Sequence, residues 1–230
     1  SSSAKRNSRC VSRSMRYLGH KRNTDCVRMV CVTATKHRVG QQRPGGRAAR
    51  VRASALTATI DLLEEVGYER LTIDAVAARA GVHKTTVYRR WPTKAELVLD
   101  ATRELSEQRI PVPDTGTLRG DLQALGRDIV ATIGDEAGGR RSRSLVAAAA
   151  STPELAAAMH AFWAGRLAAT EPIVERAIAR GELPATADPN TIIEGLIGPL
   201  WIRLLLTGEP VDEAFADRVA ELVSAGAGAA

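Results

Sequence analysis

Residues 72–91 read Thr72-Ile73-Asp74-Ala75-Val76-Ala77-Ala78-Arg79-Ala80-Gly81-Val82-His83-Lys84-Thr85-Thr86-Val87-Tyr88-Arg89-Arg90-Trp91. Thr72 can cap a helix with its hydroxyl, and Asp74 then meets the positive end of the helix dipole. The run through Ala80 is made of good helix formers, and Gly81 breaks it. A second short helix is expected from about 83 to 91, where Pro92 stops it because its ring clashes with a continuing helix. Two short helices about a glycine turn form a helix-turn-helix pattern. Ala77 is small where the helices must approach closely, and Val82 and Val87 can plug the joint. The second helix is left to expose His83, Lys84, Thr85, Thr86, Tyr88, Arg89 and Arg90. These are hydrogen-bonding side chains, and such a helix suits a DNA major groove.

The pattern on either side is also helical. Upstream, from Arg47, the residues Ala55, Leu56, Ile60, Leu63 and Val66 keep roughly a 3.6-residue period, and Gly67 ends the run. Downstream, Thr93 caps a fourth helix through Ala95, Leu97, Val98 and Ala101. The stretch 111–116, Pro-Val-Pro-Asp-Thr-Gly, reads as a linker. Further helices are expected over 118–133 and 141–150. Another starts at Thr152-Pro153-Glu154 and runs to 180, although Pro172 implies a kink in it. Two more are expected from Asp188-Pro189 to near 208 and from 212 to 224. No segment alternates with period two. The expected architecture is all-α, with a basic flexible tail at 1–46, a helix-turn-helix domain at 47–108 and a C-terminal helical domain at 111–230.

Composition narrows the function. The chain has 230 residues, 44% hydrophobic and 25% charged, as an ordinary globular protein does. No uncharged apolar run reaches the ~18 residues of a membrane span, so no membrane role is expected and the cytoplasm is the expected location. The net charge of +6 is uneven. Residues 1–52 hold 14 Lys and Arg against the single acid Asp25, whereas 53–230 hold 18 basic against 25 acidic residues. A basic arm suits an anionic partner. Two readings of 1–43 stay open: a native arm that tracks phosphates, or sequence translated upstream of a later start such as Met29. The cysteines, Cys10, Cys26 and Cys31, all lie in this segment, an odd count that forms no disulfide framework and meets no zinc spacing. No metal and no cofactor are expected. Phosphate-loop, nucleophile-elbow and His-Glu-x-x-His motifs are missing from the sequence. No enzyme is therefore expected; the alternative is a small helical enzyme using a cavity in the C-terminal half.

Residues 47–108 resemble the DNA-binding domain of TetR-type transcriptional regulators. The likeness is carried by Gly67-Tyr68, Leu71-Thr72, Val76-Ala77, Ala80-Gly81-Val82, Thr86-Val87-Tyr88 and Trp91-Pro92-Thr93-Lys94, with Glu96-Leu97 behind. His83 stands where the family usually has Ser, and Trp91 where Phe is commoner. The resemblance implies that Thr72 holds a phosphate at a helix N-terminus. It also implies that Lys84, Thr85 and Thr86 face base edges or adjacent phosphates, and that Tyr88 and Lys94 contact phosphates. His83, Arg89 and Arg90 are further candidates for DNA contact. The implied function is a sequence-specific repressor, released from a pseudo-palindromic double-stranded operator by a small-molecule effector.

In the C-terminal half, residues 191–206 read Thr-Ile-Ile-Glu-Gly-Leu-Ile-Gly-Pro-Leu-Trp-Ile-Arg-Leu-Leu-Leu, with only Glu194 and Arg203 charged. A helix apolar nearly all round must be covered on most sides. A homodimer through 191–224 is expected, as the resemblance also implies, with Leu204 and Leu222 as interfacial candidates. Glu194 and Arg203 stand ~180° apart on an ideal helix, so they cannot share one solvent face. The effector pocket is expected between the helices of 118–206, lined by Met159, His160, Phe162, Trp163, Leu167, Leu196 and Trp201. That mostly apolar lining implies an apolar effector.

Overall fold

The computed structural model describes residues 46–228, and the expected tail lies outside them except for Gly46. The described chain is helical, with no strand among its residues: α1 (Arg47–Arg70), α2 (Ile73–Arg79), α3 (Lys84–Arg90), α4 (Lys94–Arg109), α5 (Leu118–Ile133), α6 (Glu136–Ala149), α7 (Pro153–Ala179), α8 (Pro189–Ile202) and α9 (Glu213–Gly228). A π-helical turn, Arg203–Thr207, extends α8. Among the described residues no helix is long and apolar enough to cross a membrane.

Two apolar cores organise these helices. The first gathers Leu56, Leu63, Leu71, Val76, Val87, Trp91, Leu97 and Val98 from α1–α4 and their connections. Leu145 and Ala148 of α6 and Leu155 of α7 complete it. The second joins α5, the C-terminal part of α7, α8 and α9 through Leu122, Leu125, Ile173, Ile193, Leu196, Leu200 and Ala216. The N-terminal core is thus closed by side chains that lie beyond the 111–116 linker.

Gly67 ends the regular part of α1 at φ 75°, ψ 173°. Tyr68 N–H then donates to Ser144 Oγ of α6 at 2.6 Å, and a Cβ at Gly67 would stand 2.8 Å from that oxygen. Glycine is needed there both for its positive φ and for the close approach.

The structure departs from expectation at α6, which begins at Glu136 rather than near 141. Gly138-Gly139 reads as a helix breaker, yet Asp135 caps the helix by accepting Gly138 N–H at 2.7 Å. The Thr132 carbonyl lies so close to Gly138 that a side chain would not fit. α7 continues through Pro172, and α9 extends to Gly228. Leu204 is 8% exposed and belongs to the second core, so it is not a free interfacial residue. The π-helical turn re-registers the chain there, leaving the neighbouring Leu206 80% exposed. Glu194 is exposed, whereas Arg203 lies 3.4 Å from the Phe215 ring centroid and donates to the Pro210 carbonyl at 2.7 Å.

Candidate nucleic-acid interface and interior cavity

The turn between α2 and α3 is built by backbone chemistry. Thr72 Oγ1 accepts Ala75 N–H at 3.1 Å and starts α2. At its end, Val82 N–H donates to Ala77 O at 3.0 Å and Gly81 N–H to Ala78 O at 3.2 Å. This is a Schellman pair closing a helix on a left-handed glycine. Gly81 has φ 65°, and open space surrounds the position of its missing Cβ, so the conformation alone requires glycine. Val76, Ala77 and Val87 are buried and Val82 half-buried, which fixes the angle between the helices.

The seven-residue α3 has Val87 as its one buried residue. His83, Lys84, Thr85, Tyr88, Arg89 and Arg90 are exposed and Thr86 is half-buried. His83 is the N-cap: its Nδ1 accepts Thr85 N–H at 3.4 Å and lies 2.8 Å from Thr85 Oγ1. A histidine can therefore do here what a capping serine does, because both offer an acceptor to a free N–H. Lys84 lies 3.5 Å from Asp74, with both side chains more than half exposed. Such a pair is worth ~0–1 kcal/mol and leaves the ammonium available to an anion.

The far end of α3 is clamped. Trp91 Nε1–H donates to Asp100 Oδ2 at 3.0 Å, and Arg52 reaches Asp100 at 2.7 Å and Glu104 at 2.6 Å. The Glu104 hydrogen bond, ahead of the Asp100 contacts, holds the Arg52 guanidinium above its ordinary pKa, while partial burial opposes. Arg90 stacks 5.3 Å from the Trp91 ring centroid. α3 is thereby tied to α1 and α4, and its polar side is presented on a fixed frame. Arg47, which the sequence reading left out, lines the groove beside Arg89 and Arg90. The spaced arginines Arg43, Arg47, Arg50 and Arg52 leading into α1 were the available signal.

Lys94 does not stand free. Its Nζ donates to the Tyr68 carbonyl at 3.0 Å and lies 4.1 Å from the Tyr68 ring centroid. Burial pushes the Tyr68 hydroxyl above its usual pKa, with Glu69 and Glu154 adding to the shift. An ammonium has three donors, so one bond to Tyr68 leaves two for a phosphate. Lys94→Ala is expected to weaken binding to operator and random DNA alike and to lower the salt slope by about one unit. It should also cost the fold ~1 kcal/mol through the lost hydrogen bond. Salt-titrated binding with thermal melts checks this, and a changed base preference would contradict a backbone role.

Beneath this headpiece, α4–α8 enclose a cavity of about 110 Å³. Met159, Phe162, Trp163 and Trp201 line it, as do Val98 and Leu99 of α4. Phe162 and Trp201 each meet Trp163 edge-to-face, with centroids 5.4 Å apart in both pairs. Three expected residues are elsewhere. His160 is exposed, because one residue beyond Met159 is a rotation of ~100° around α7. Leu196 is fully buried in the second core against Gly126, and its neighbour Ile197 shares the cavity face with Trp201 instead. Leu167 lines a separate outer groove with Glu194.

Two arginines in the wall were missed by the sequence reading. Arg141 is 3% exposed, pairs with Glu64 of α1, and its Nη2 donates to the Thr132 carbonyl at the end of α5 at 2.8 Å. Arg166 donates to the Ile110 carbonyl at 3.0 Å. Burial is the first cause lowering both guanidinium pKa values; Glu64 opposes it at Arg141 and Glu107 at Arg166. Nothing local in the sequence separates these two arginines from solvated ones.

Comparison with known proteins places this geometry. Residues 55–101 match the family model of bacterial regulatory proteins, tetR family, and residues 112–223 match that of the tetracyclin repressor-like C-terminal domain. An uncharacterized HTH-type transcriptional regulator of Mycobacterium tuberculosis is 40% identical over 156 residues, covering 67% of this chain and 76% of that one. A DNA-binding transcriptional repressor of Mycobacteroides abscessus is 33% identical over 184 residues, covering 74% and 89%. A TetR family transcription regulator of known crystal structure superposes with a TM-score of 0.67 at 34% identity, covering 77% of this chain and 98% of that chain.

Proposed function

This chain belongs to the TetR family of DNA-binding transcriptional regulators, and from that premise we propose that it is a homodimeric repressor whose α3 reads a pseudo-palindromic operator and whose cavity takes the releasing effector. The observation that carries the reading is α3 itself: a rigidly clamped helix showing His83, Lys84, Thr85 and Tyr88 to solvent. In this reading Lys84, Thr85 and Thr86 meet base edges, while Thr72, Tyr88 and Lys94 position the phosphates. His83, Arg89 and Arg90 add to the contact surface.

Dimerisation is assigned to residues 191–224. Ile202 at 52%, Leu206 at 80% and Leu222 at 74% exposure are an apolar set that a lone protomer would leave in water. Release follows from how the cavity meets the headpiece. Val98 and Leu99 line the cavity from α4, and Arg141 spans from its wall to Glu64 on α1. A ligand that moves α6 or α4 would change the pose of α1–α4, and with it the spacing of the two α3 helices in the dimer.

Selection of bound sequences from a random duplex pool tests the reading. The expected product is an inverted repeat with half-sites about one helical turn apart. Lys84→Ala is expected to relax one base position in each half-site, at a cost of ~1–3 kcal/mol if Lys84 makes a good base contact. An unchanged consensus would remove Lys84 from base reading, and a consensus without symmetry would remove the dimer.

A further inference from the structure

We infer that the cavity takes a compact anion with an apolar body, an aromatic carboxylate of single-ring size, seated on Arg166 and Trp201. The inference deepens the effector reading and rests on it.

The unmet demand in the cavity wall is for acceptors. Arg166 makes one hydrogen bond, to the Ile110 carbonyl, and forms no ion pair among the described residues. A guanidinium has five N–H donors, and a carbonyl neutralises none of its charge. Trp201 Nε1–H is buried without a protein acceptor, and an indole N–H can only donate. The other cavity cation, Arg141, differs because Glu64 and the Thr132 carbonyl already engage it. Arg166 is half-buried and keeps contact with solvent. An apolar ligand would cut that contact and leave the guanidinium and the Trp201 N–H without acceptors, which is costly. An anion answers both.

Size and shape set the rest. A cavity of about 110 Å³ is smaller than the ~150 Å³ engineered cavity that admits benzene, which limits the apolar body to one ring and leaves the carboxylate at the half-buried Arg166 on the rim. Phe162, Trp163 and Trp201 offer ring faces and edges, which suit a further aromatic ring. Of the two arginines in the cavity wall, Arg141 is paired with Glu64, so Arg166 is left to offset one negative charge, and a carboxylate fits better than a phosphate dianion. The planar fork of an arginine also matches a carboxylate in two-point geometry.

The test uses benzoate, benzamide and benzylamine, which share a ring and differ in charge. Binding is read by intrinsic tryptophan fluorescence and thermal shift on the full chain. Benzoate is expected to bind at least tenfold more tightly than benzamide, and benzylamine not at all. Arg166→Gln is expected to weaken benzoate tenfold or more and benzamide less than twofold. Equal binding of benzoate and benzamide overturns the proposal, as does unchanged benzoate affinity in Arg166→Gln or failure of all three to bind. Should Arg166→Gln not fold, the series on the natural chain decides alone. Operator binding is measured in parallel. Benzoate that binds through Arg166 without releasing the operator keeps the anion site and refutes its effector role. Release that ignores Arg166 does the reverse.

Discussion

A Leu222→Glu chain is expected to sediment as a folded monomer and to bind a two-half-site operator about 10²–10⁴-fold more weakly, the loss that follows when a second linked binding event is removed. Leu222 is 74% exposed in the protomer, so a carboxylate there should change protomer stability by no more than ~0.5 kcal/mol. In a two-fold interface the same carboxylate is buried twice, once per subunit, and has no partner. Leu206→Glu should behave alike, as Leu206 is 80% exposed. Leu204→Glu should instead unfold the protomer, since Leu204 lies in the intrachain core. Sedimentation at micromolar concentration, with circular dichroism and operator titration, separates these outcomes. A Leu222→Glu chain that remains dimeric would move the interface away from α9.

Removing the Arg141 side chain as Arg141→Met is expected to destabilise the fold by about 2–3 kcal/mol, below the ~3–5 of a wholly buried pair because Glu64 keeps some contact with water. Glu64 is 27% exposed against 4% for the Arg141 side chain. Two losses combine. Glu64 is left without its cation, and the Thr132 carbonyl, one of the last carbonyls of α5, is left without its donor. Glu64→Gln alone should cost less, because the amide can still accept from Arg141. The double variant should show an interaction energy of ~1–3 kcal/mol in chemical denaturation. Additive single effects would mean that the two residues are neighbours without coupling, and the link from cavity wall to α1 would have to run elsewhere.

The helix-turn-helix was legible because everything it needs lies within twenty residues of sequence. The cap at Thr72, the left-handed turn at Gly81 and the stop at Pro92 are local chemistry, and the exposed set on α3 follows from a single buried valine. The cavity was legible only in part. Met159, Phe162 and Trp163 share one face of α7, so helical spacing groups them. His160 sits one residue away from that face, and its place beside Phe162 and Trp163 in the sequence, not its angle, suggested a pocket. Leu196 and Ile197 are indistinguishable by type; only the packing of α5 and α9 decides which of the two is enclosed by core. Arg141 and Arg166 were invisible for the same reason, because a buried arginine is defined by partners on other helices. At 136–140, two glycines that signal a break serve a helix pressed against the end of α5.

The seam in the chain and the seam in the packing do not coincide. The 111–116 linker divides the sequence, but Leu145, Ala148 and Leu155 from beyond it close the core of α1–α4. The contacts of Gly67 and Tyr68 with Ser144, and of Glu64 with Arg141, cross the same line. The two halves of the chain are therefore not interchangeable cassettes. A hybrid cut at the linker would inherit a headpiece with an open underside, unless its new C-terminal half brought a small residue pattern matching 144–148 and a cation at 141. Arg141 and Leu145 of α6 belong to both the cavity wall and the closure of α1–α4, so a new cavity lining in this scaffold has to be built on α4, α5, α7 and α8 while those residues of α6 stay.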